Sequence, residues 1–256
     1  MISLSLCPSP ALYSYYKTDS EAYTVVIVDI FRAGTTITTA LMNGAVGIVP
    51  IAGIEDAEAY ARNGYLVGGE RGTKRLPFAR FGNAPEEYTR EAVAGKTIVL
   101  STTNGTRAAD IASGASHVII GAFINLDAVA RYCIARHLPV MVLASGWQNR
   151  MSMEDCLLAG ALAATIVRLG EAVECEDGAA AYYELWRSYD THEKLTAYLS
   201  GRDHYGRLRA NSLEKSVPYC TSLNLTDIVP ELTFRPTAPA VERPASRLFL
   251  PVSPPF

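Results

Sequence analysis

The chain has 256 residues, 49% of them hydrophobic and 19% charged, with a net charge of −3. That balance fits one or two well-packed domains and excludes a disordered chain. The absence of a basic stripe argues against a nucleic-acid partner, and no apolar run approaches the roughly 18 residues of a membrane span.

In chain order, residues 1–10 are mildly apolar with no basic flank and predict a first strand, not a signal peptide. Further strands are predicted at 25–30, 47–51, 66–68, 97–101, 117–120 and 140–144. Between them lie helical patterns at 36–42, 54–62, 85–94, 106–112, 125–137 and 152–169. The alternation predicts an α/β fold, a largely parallel sheet with helices on both faces. Residues 1–234 read as a single α/β unit, with two similar α/β halves as a variant of that reading. Residues 179–189 and 191–199 have helical spacing and many tyrosines, suited equally to a homodimer interface or to internal packing. Residues 235–256 are rich in proline and predict an extended tail, poor as a central strand. Cys7, Cys133, Cys156, Cys175 and Cys220 are scattered and odd in number, the pattern of reduced thiols in a cytoplasmic protein.

Polar groups gather where strands end. Asp29, Arg32, Thr35 and Thr36 follow the second strand; the carboxylate could hold a hard cation, and the guanidinium and helix start an oxyanion. Glu70 and Arg71 stand in a glycine-rich turn, and Asn83 precedes a proline-started helix. Thr103, Asn104, Gly105, Thr106 and Arg107 form a polar strand-to-helix switch suited to cradling an anion. Asp155 opens the helix after Ser152, where it could cap that helix or reach a metal. Each feature alone is satisfied by an ordinary cap or surface ion pair. In parallel sheets, however, loops after strand C-termini share one edge, where ligands bind.

In order and spacing, these segments resemble the 2-phosphosulfolactate phosphatase family, magnesium-dependent enzymes associated with sulfolactate and coenzyme M biosynthesis. The matching pieces run from Asp29-Ile30-Phe31-Arg32-Ala33-Gly34-Thr35-Thr36 through Gly69-Glu70-Arg71-Gly72, Phe81-Gly82-Asn83-Ala84-Pro85 and Thr102-Thr103-Asn104-Gly105-Thr106-Arg107 to Ser152-Met153-Glu154-Asp155. The resemblance implies hydrolysis of a small phosphorylated and sulfonated acid with Mg2+. On that basis Asp29, Arg32 and Glu70 are the expected catalytic groups, and Asp29, Glu70 and Asp155 the expected metal ligands. The expected substrate contacts are Thr35, Thr36, Arg71, Asn83, Thr103, Asn104, Gly105, Thr106 and Arg107. The chain departs from the family at Ala144-Ser145-Gly146 and Leu158, where cysteines are common, and in the loop Trp147-Gln148-Asn149-Arg150. Those departures leave open another small phosphorylated hydroxy acid as substrate; the alternative from another class is a non-catalytic anion-binding metabolite sensor, which would need the arginines but not the carboxylates.

Overall fold

Runs of Val, Ile and Leu form strands whose two faces are both covered. The computed structural model describes residues 1–17, 22–72, 74–102, 104–235 and 246–254. Its strands are β1 (Ile2–Cys7), β2 (Thr24–Val28), β3 (Gly47–Ile51), β4 (Leu66–Arg71), β5 (Lys74–Arg75) and β6 (Thr97–Ser101). They continue with β7 (His117–Gly121), β8 (Val140–Ala144), β9 (Val173–Cys175), β10 (Val229–Arg235) and β11 (Ser246–Val252). In β2, Val26 and Val28 enter one hydrophobic core while Val25 and Ile27 enter the other. Alternate side chains leave opposite faces of a strand, so a strand with no polar alternation is buried twice over.

The strands form one sheet in the order β5-β4-β6-β3-β11-β10-β7-β2-β8-β1-β9. Two parallel blocks, β4-β6-β3 and β7-β2-β8-β1-β9, flank the antiparallel hairpin β10–β11. Because the hairpin pairs antiparallel with β7 and with β3, the two blocks run in opposite senses. A flat sheet would put their C-terminal ends on opposite edges. Twist changes that: β2 and β4 are six steps apart, and roughly 20–25° per step accumulates to about 120–150°. The ends of β2 and β4 therefore reach the same cavity.

The chain crosses between the blocks twice. Helix Ala33–Met42 carries it from β2 to β3, and helix Asn104–Ile111 returns it from β6 to β7. The first crossing helix is buried from Ala33 through Leu41. Its threonines would be costly there without partners. Thr38 Oγ1 donates to the Gly34 carbonyl at 2.9 Å and Thr39 Oγ1 to the Thr35 carbonyl at 2.8 Å. Such back-bonding satisfies the hydroxyls within the helix itself.

Two expectations need correction. The proline-rich end is not merely a tail, since β11 sits in the middle of the sheet. Its stretch Ser246–Leu250 contains no proline, and the pairing with β3 is made at Phe249, short of Pro251. Residues 236–245 and 255–256 of that expectation lie outside the described residues. The helix expected at 85–94 is instead a 3-10 turn, Pro85–Glu87, and a single helical turn, Arg90–Val93. The tyrosine-rich region folds as helices Asp177–Trp186 and His192–Leu199 and packs inward, with Trp186 stacked on Phe123 at 5.8 Å between ring centroids.

Helix Met153–Arg168 packs against helix Asp177–Trp186 through Gly160. A Cβ there would stand 2.0 Å from the Tyr182 carbonyl oxygen. Gly160→Ala must push the helices apart, at a cost of about 2–3 kcal/mol. The expected result is a melting temperature lower by roughly 5–10 °C. An unchanged melting curve would refute this packing.

Candidate functional site

Helix Ala33–Met42 begins against the end of β2, and Asp29 is held by that start. The Ala33 N–H donates to Asp29 Oδ1 at 3.2 Å, and the Gly34 N–H to the Asp29 carbonyl at 2.8 Å. A Cβ on Gly34 would lie 2.9 Å from the same carbonyl oxygen, so only glycine permits this approach. The structure corrects the roles expected of Thr35 and Thr36. Both are fully buried, and their hydroxyls donate to the Ile30 carbonyl at 3.0 Å and the Asn83 carbonyl at 2.9 Å. They bind the helix start to its surroundings and do not face the cavity.

A cavity of about 410 Å³ opens beside this turn, with Asp29, Arg32, Glu70, Asn83, Arg107 and Ser145 among its walls. The Arg32 guanidinium is almost fully buried and meets Glu70 Oε2 at 2.9 Å. Arg71, adjacent in sequence, faces elsewhere. Its guanidinium donates to the carbonyls of Glu70, Ala52 and Ser101 at 2.6–3.0 Å and to Ser101 Oγ at 3.0 Å. Arg71 is thus a clamp between strands, and its expected role as a substrate contact is withdrawn. The buried Asn83 Oδ1 and Ser145 Oγ have no hydrogen-bond partner among the described residues. Two unsatisfied polar groups in one cavity wall are what a polar ligand would satisfy.

The cavity rim is built by a tight turn. Trp147 and Arg150 exchange backbone hydrogen bonds of 2.9 Å, and Gln148 and Asn149 between them have φ of 51° and 61°. Positive φ at both central residues is the requirement of a type I′ turn. Arg107 Nη1 donates to Asn149 Oδ1 at 2.8 Å, and Arg207 lies over the Trp147 ring at 4.3 Å. Thr106 is buried behind the wall, with its hydroxyl 3.4 Å from that of Thr102, which lines the cavity where Thr106 does not. Thr103 lies outside the described residues, as does the side chain of Asn104, which with Gly105 begins helix Asn104–Ile111.

Asp155 is corrected as a metal ligand. Its two oxygens accept the Ile30 N–H at 2.9 Å and the Gly146 N–H at 3.0 Å, tying the β2 and β8 loops together. Burial, then the charges of Glu154 and Asp29, push its carboxyl well above the ordinary range, against the pull of those two amides. Asp29 is also raised, to about 6. Burial is the main cause; His204 and the Ala33 N–H draw it down, and Glu154 and Glu70 add to the rise. Among the described residues, no group of three or more His, Cys, Asp or Glu is gathered as a metal cluster. The thiols offer no nucleophile: burial raises Cys7 to about 11 and Cys133 to about 12.

Two cavity features escaped sequence reasoning. His204, in helix Asp203–Ala210, lines the cavity, and its Nδ1 is hydrogen-bonded to Glu154 Oε1. The sequence signal was thin: one histidine among tyrosines, fifty residues from its partner. Ser145 stands in the Ala144-Ser145-Gly146 loop after a strand, but nothing local in the sequence marks its hydroxyl as a wall of this cavity.

The chain matches the family described as 2-phosphosulpholactate phosphatase over residues 10–234. It is 37% identical over 233 residues to a probable 2-phosphosulfolactate phosphatase of Carboxydothermus hydrogenoformans, covering 90% of this chain and 94% of that protein. A protein of the same description from Thermotoga petrophila is 37% identical over 213 residues, 83% of this chain and 90% of that one. Another, from Caldanaerobacter subterraneus subsp. tengcongensis, is 34% identical over 218 residues, 84% and 89% of the two chains.

Proposed function

Because this chain belongs to the 2-phosphosulpholactate phosphatase family, whose members are phosphoric monoester hydrolases, we propose that its cavity hydrolyses 2-phosphosulfolactate to sulfolactate and phosphate, with Mg2+ held by Asp29 and Glu70. The observation that carries this reading is the convergence of both carboxylates and the buried Arg32 on one cavity of about 410 Å³. The donor set fits the ion. The described bonds engage one oxygen of Asp29 and one of Glu70, and Mg2+ is commonly bound by one or two carboxylates, waters and substrate phosphate. Charge balance favours a cation as well, since Asp29 and Glu70 offset the charges of Arg32 and Arg107 and leave a phosphate dianion in need of further positive charge. When bound, Mg2+ supplies charge neutralisation at the phosphoryl oxygens.

The chain's own groups orient the ester. Arg32 is held in place by Glu70, so its planar fork needs little reorganisation to grip a phosphoryl oxygen. The Ser145 hydroxyl, without a partner, is available to donate to the same group. Arg107 stands at the exposed rim, positioned by Asn149 to meet a carboxylate or sulfonate carried by the substrate. The test is phosphate release from 2-phosphosulfolactate and a panel of other phosphorylated hydroxy acids, with and without EDTA. The expected result is turnover highest on the sulfonated substrate, lost by more than about 10²-fold on metal removal and restored by Mg2+. No phosphate release from any of them, with Mg2+ present, sinks the reading.

A further inference from the structure

Resting on the phosphatase reading, we propose that His204 is the general acid that protonates the departing ester oxygen and that Glu154 is its positioning residue. The chemistry creates the need. A 2-hydroxy acid leaves phosphorus as an alkoxide, a basic oxygen that departs readily only if it gains a proton as the P–O bond breaks. The other cavity groups are poorly suited to give one. Arginines do not release protons in proteins, and Asp29 and Glu70 are assigned to the cation.

His204 has the placement for the task. It lines the same cavity as Asp29, Arg32 and Ser145. Its Nδ1 is bonded to Glu154, a carboxylate only 1% exposed in the first turn of helix Met153–Arg168. The Phe31 ring meets the imidazole edge-on at 5.7 Å, so the ring is fixed from a second side. Engagement of Nδ1 leaves Nε2 as the nitrogen able to serve the cavity. A buried carboxylate orienting an imidazole through Nδ1 is a recurrent way to fix which nitrogen carries the working proton.

The step balances. Water forms the new P–O bond, and the ester P–O bond breaks with its electron pair on the alkoxide oxygen. That oxygen takes the Nε2 proton and leaves as the hydroxy acid. The proton shed by the water-derived hydroxyl returns through solvent to the imidazole, and the products are the alcohol and hydrogen phosphate.

The competing role is structural: the pair could simply tie helix Asp203–Ala210 to the body. The two roles differ in their dependence on the leaving group. A thiolate departs without a proton, so the comparison uses 2-phosphosulfolactate and its analogue with sulfur in place of the ester-bridging oxygen. His204→Gln is expected to lower kcat about 10²–10⁴-fold on the oxygen ester and less than tenfold on the sulfur ester. Glu154→Gln, which keeps Oε1 as an acceptor, is expected to show the same contrast at smaller size. Equal losses on both esters, or less than a tenfold loss on the oxygen ester, overturns the proposal. Should His204→Gln melt below the assay temperature, His204→Asn and Glu154→Gln are read by the same criterion. Wild-type inactivity on the oxygen ester would instead overturn the phosphatase reading on which the proposal rests.

Discussion

Asp29→Asn is expected to lower kcat by about 10³-fold while making the protein more stable at pH 7. Asparagine keeps an oxygen for the Ala33 N–H, which donates to Asp29 Oδ1 at 3.2 Å, so the start of helix Ala33–Met42 should survive. What disappears is the charge that the proposed mechanism uses to hold Mg2+. The stability effect follows from linkage. Asp29 titrates near 6 in the folded protein, raised from 3.8 chiefly by burial, so the folded state binds its proton more tightly than the unfolded state. Its contribution to stability is fully present below about pH 4 and is lost as pH rises through 6. At pH 7 the ionised carboxylate thus costs on the order of 1–3 kcal/mol, and the amide removes that cost. Melting curves of wild type and variant should diverge between pH 4 and 6, with the variant higher above pH 6. Full activity, or a gap of the opposite sign, would contradict the assignment.

Arg32→Met is expected to destabilise the protein by about 2–4 kcal/mol and to abolish turnover. The wild-type guanidinium is 2% exposed and Glu70 is 20% exposed, with the two 2.9 Å apart. Deleting the cation strands a carboxylate that water reaches only in part, and breaking a buried pair this way costs more than the pair is worth. The double variant Arg32→Met/Glu70→Met should therefore recover most of the lost stability and none of the activity. Arg32→Lys separates charge from shape: it retains the cation but replaces a planar fork with a single point donor. A fall in kcat/KM of about 10²-fold is expected for the lysine variant. Wild-type kinetics in Arg32→Lys would mean that Arg32 serves only to hold Glu70.

The sequence was legible where local chemistry left one answer. Strands β3, β6 and β8 match the expected bounds because each has an apolar centre bounded by turn residues and a following helix start. The acids and arginines at the strand ends were legible for the same reason, since parallel strands deliver their following loops to ligands. Direction was not legible. Arg32 and Arg71 look alike in sequence, each within three residues of an acid, yet one lines the cavity and the other clamps carbonyls. Asp155 carried two readings, cap and metal ligand, and the structure shows neither: its oxygens accept the N–H groups of Ile30 and Gly146, and Ser152 makes no side-chain cap to the helix.

Residue pattern alone determined that this chain is an α/β protein with covered strands and polar loops after them, because burial periodicity and helix-start chemistry act over a few residues. Only the tertiary structure decided that β11 stands mid-sheet, that His204 meets Glu154, and that oppositely running blocks present their ends to one cavity. Those outcomes depend on twist accumulated over many strands and on packing between distant segments, which no local window of sequence encodes.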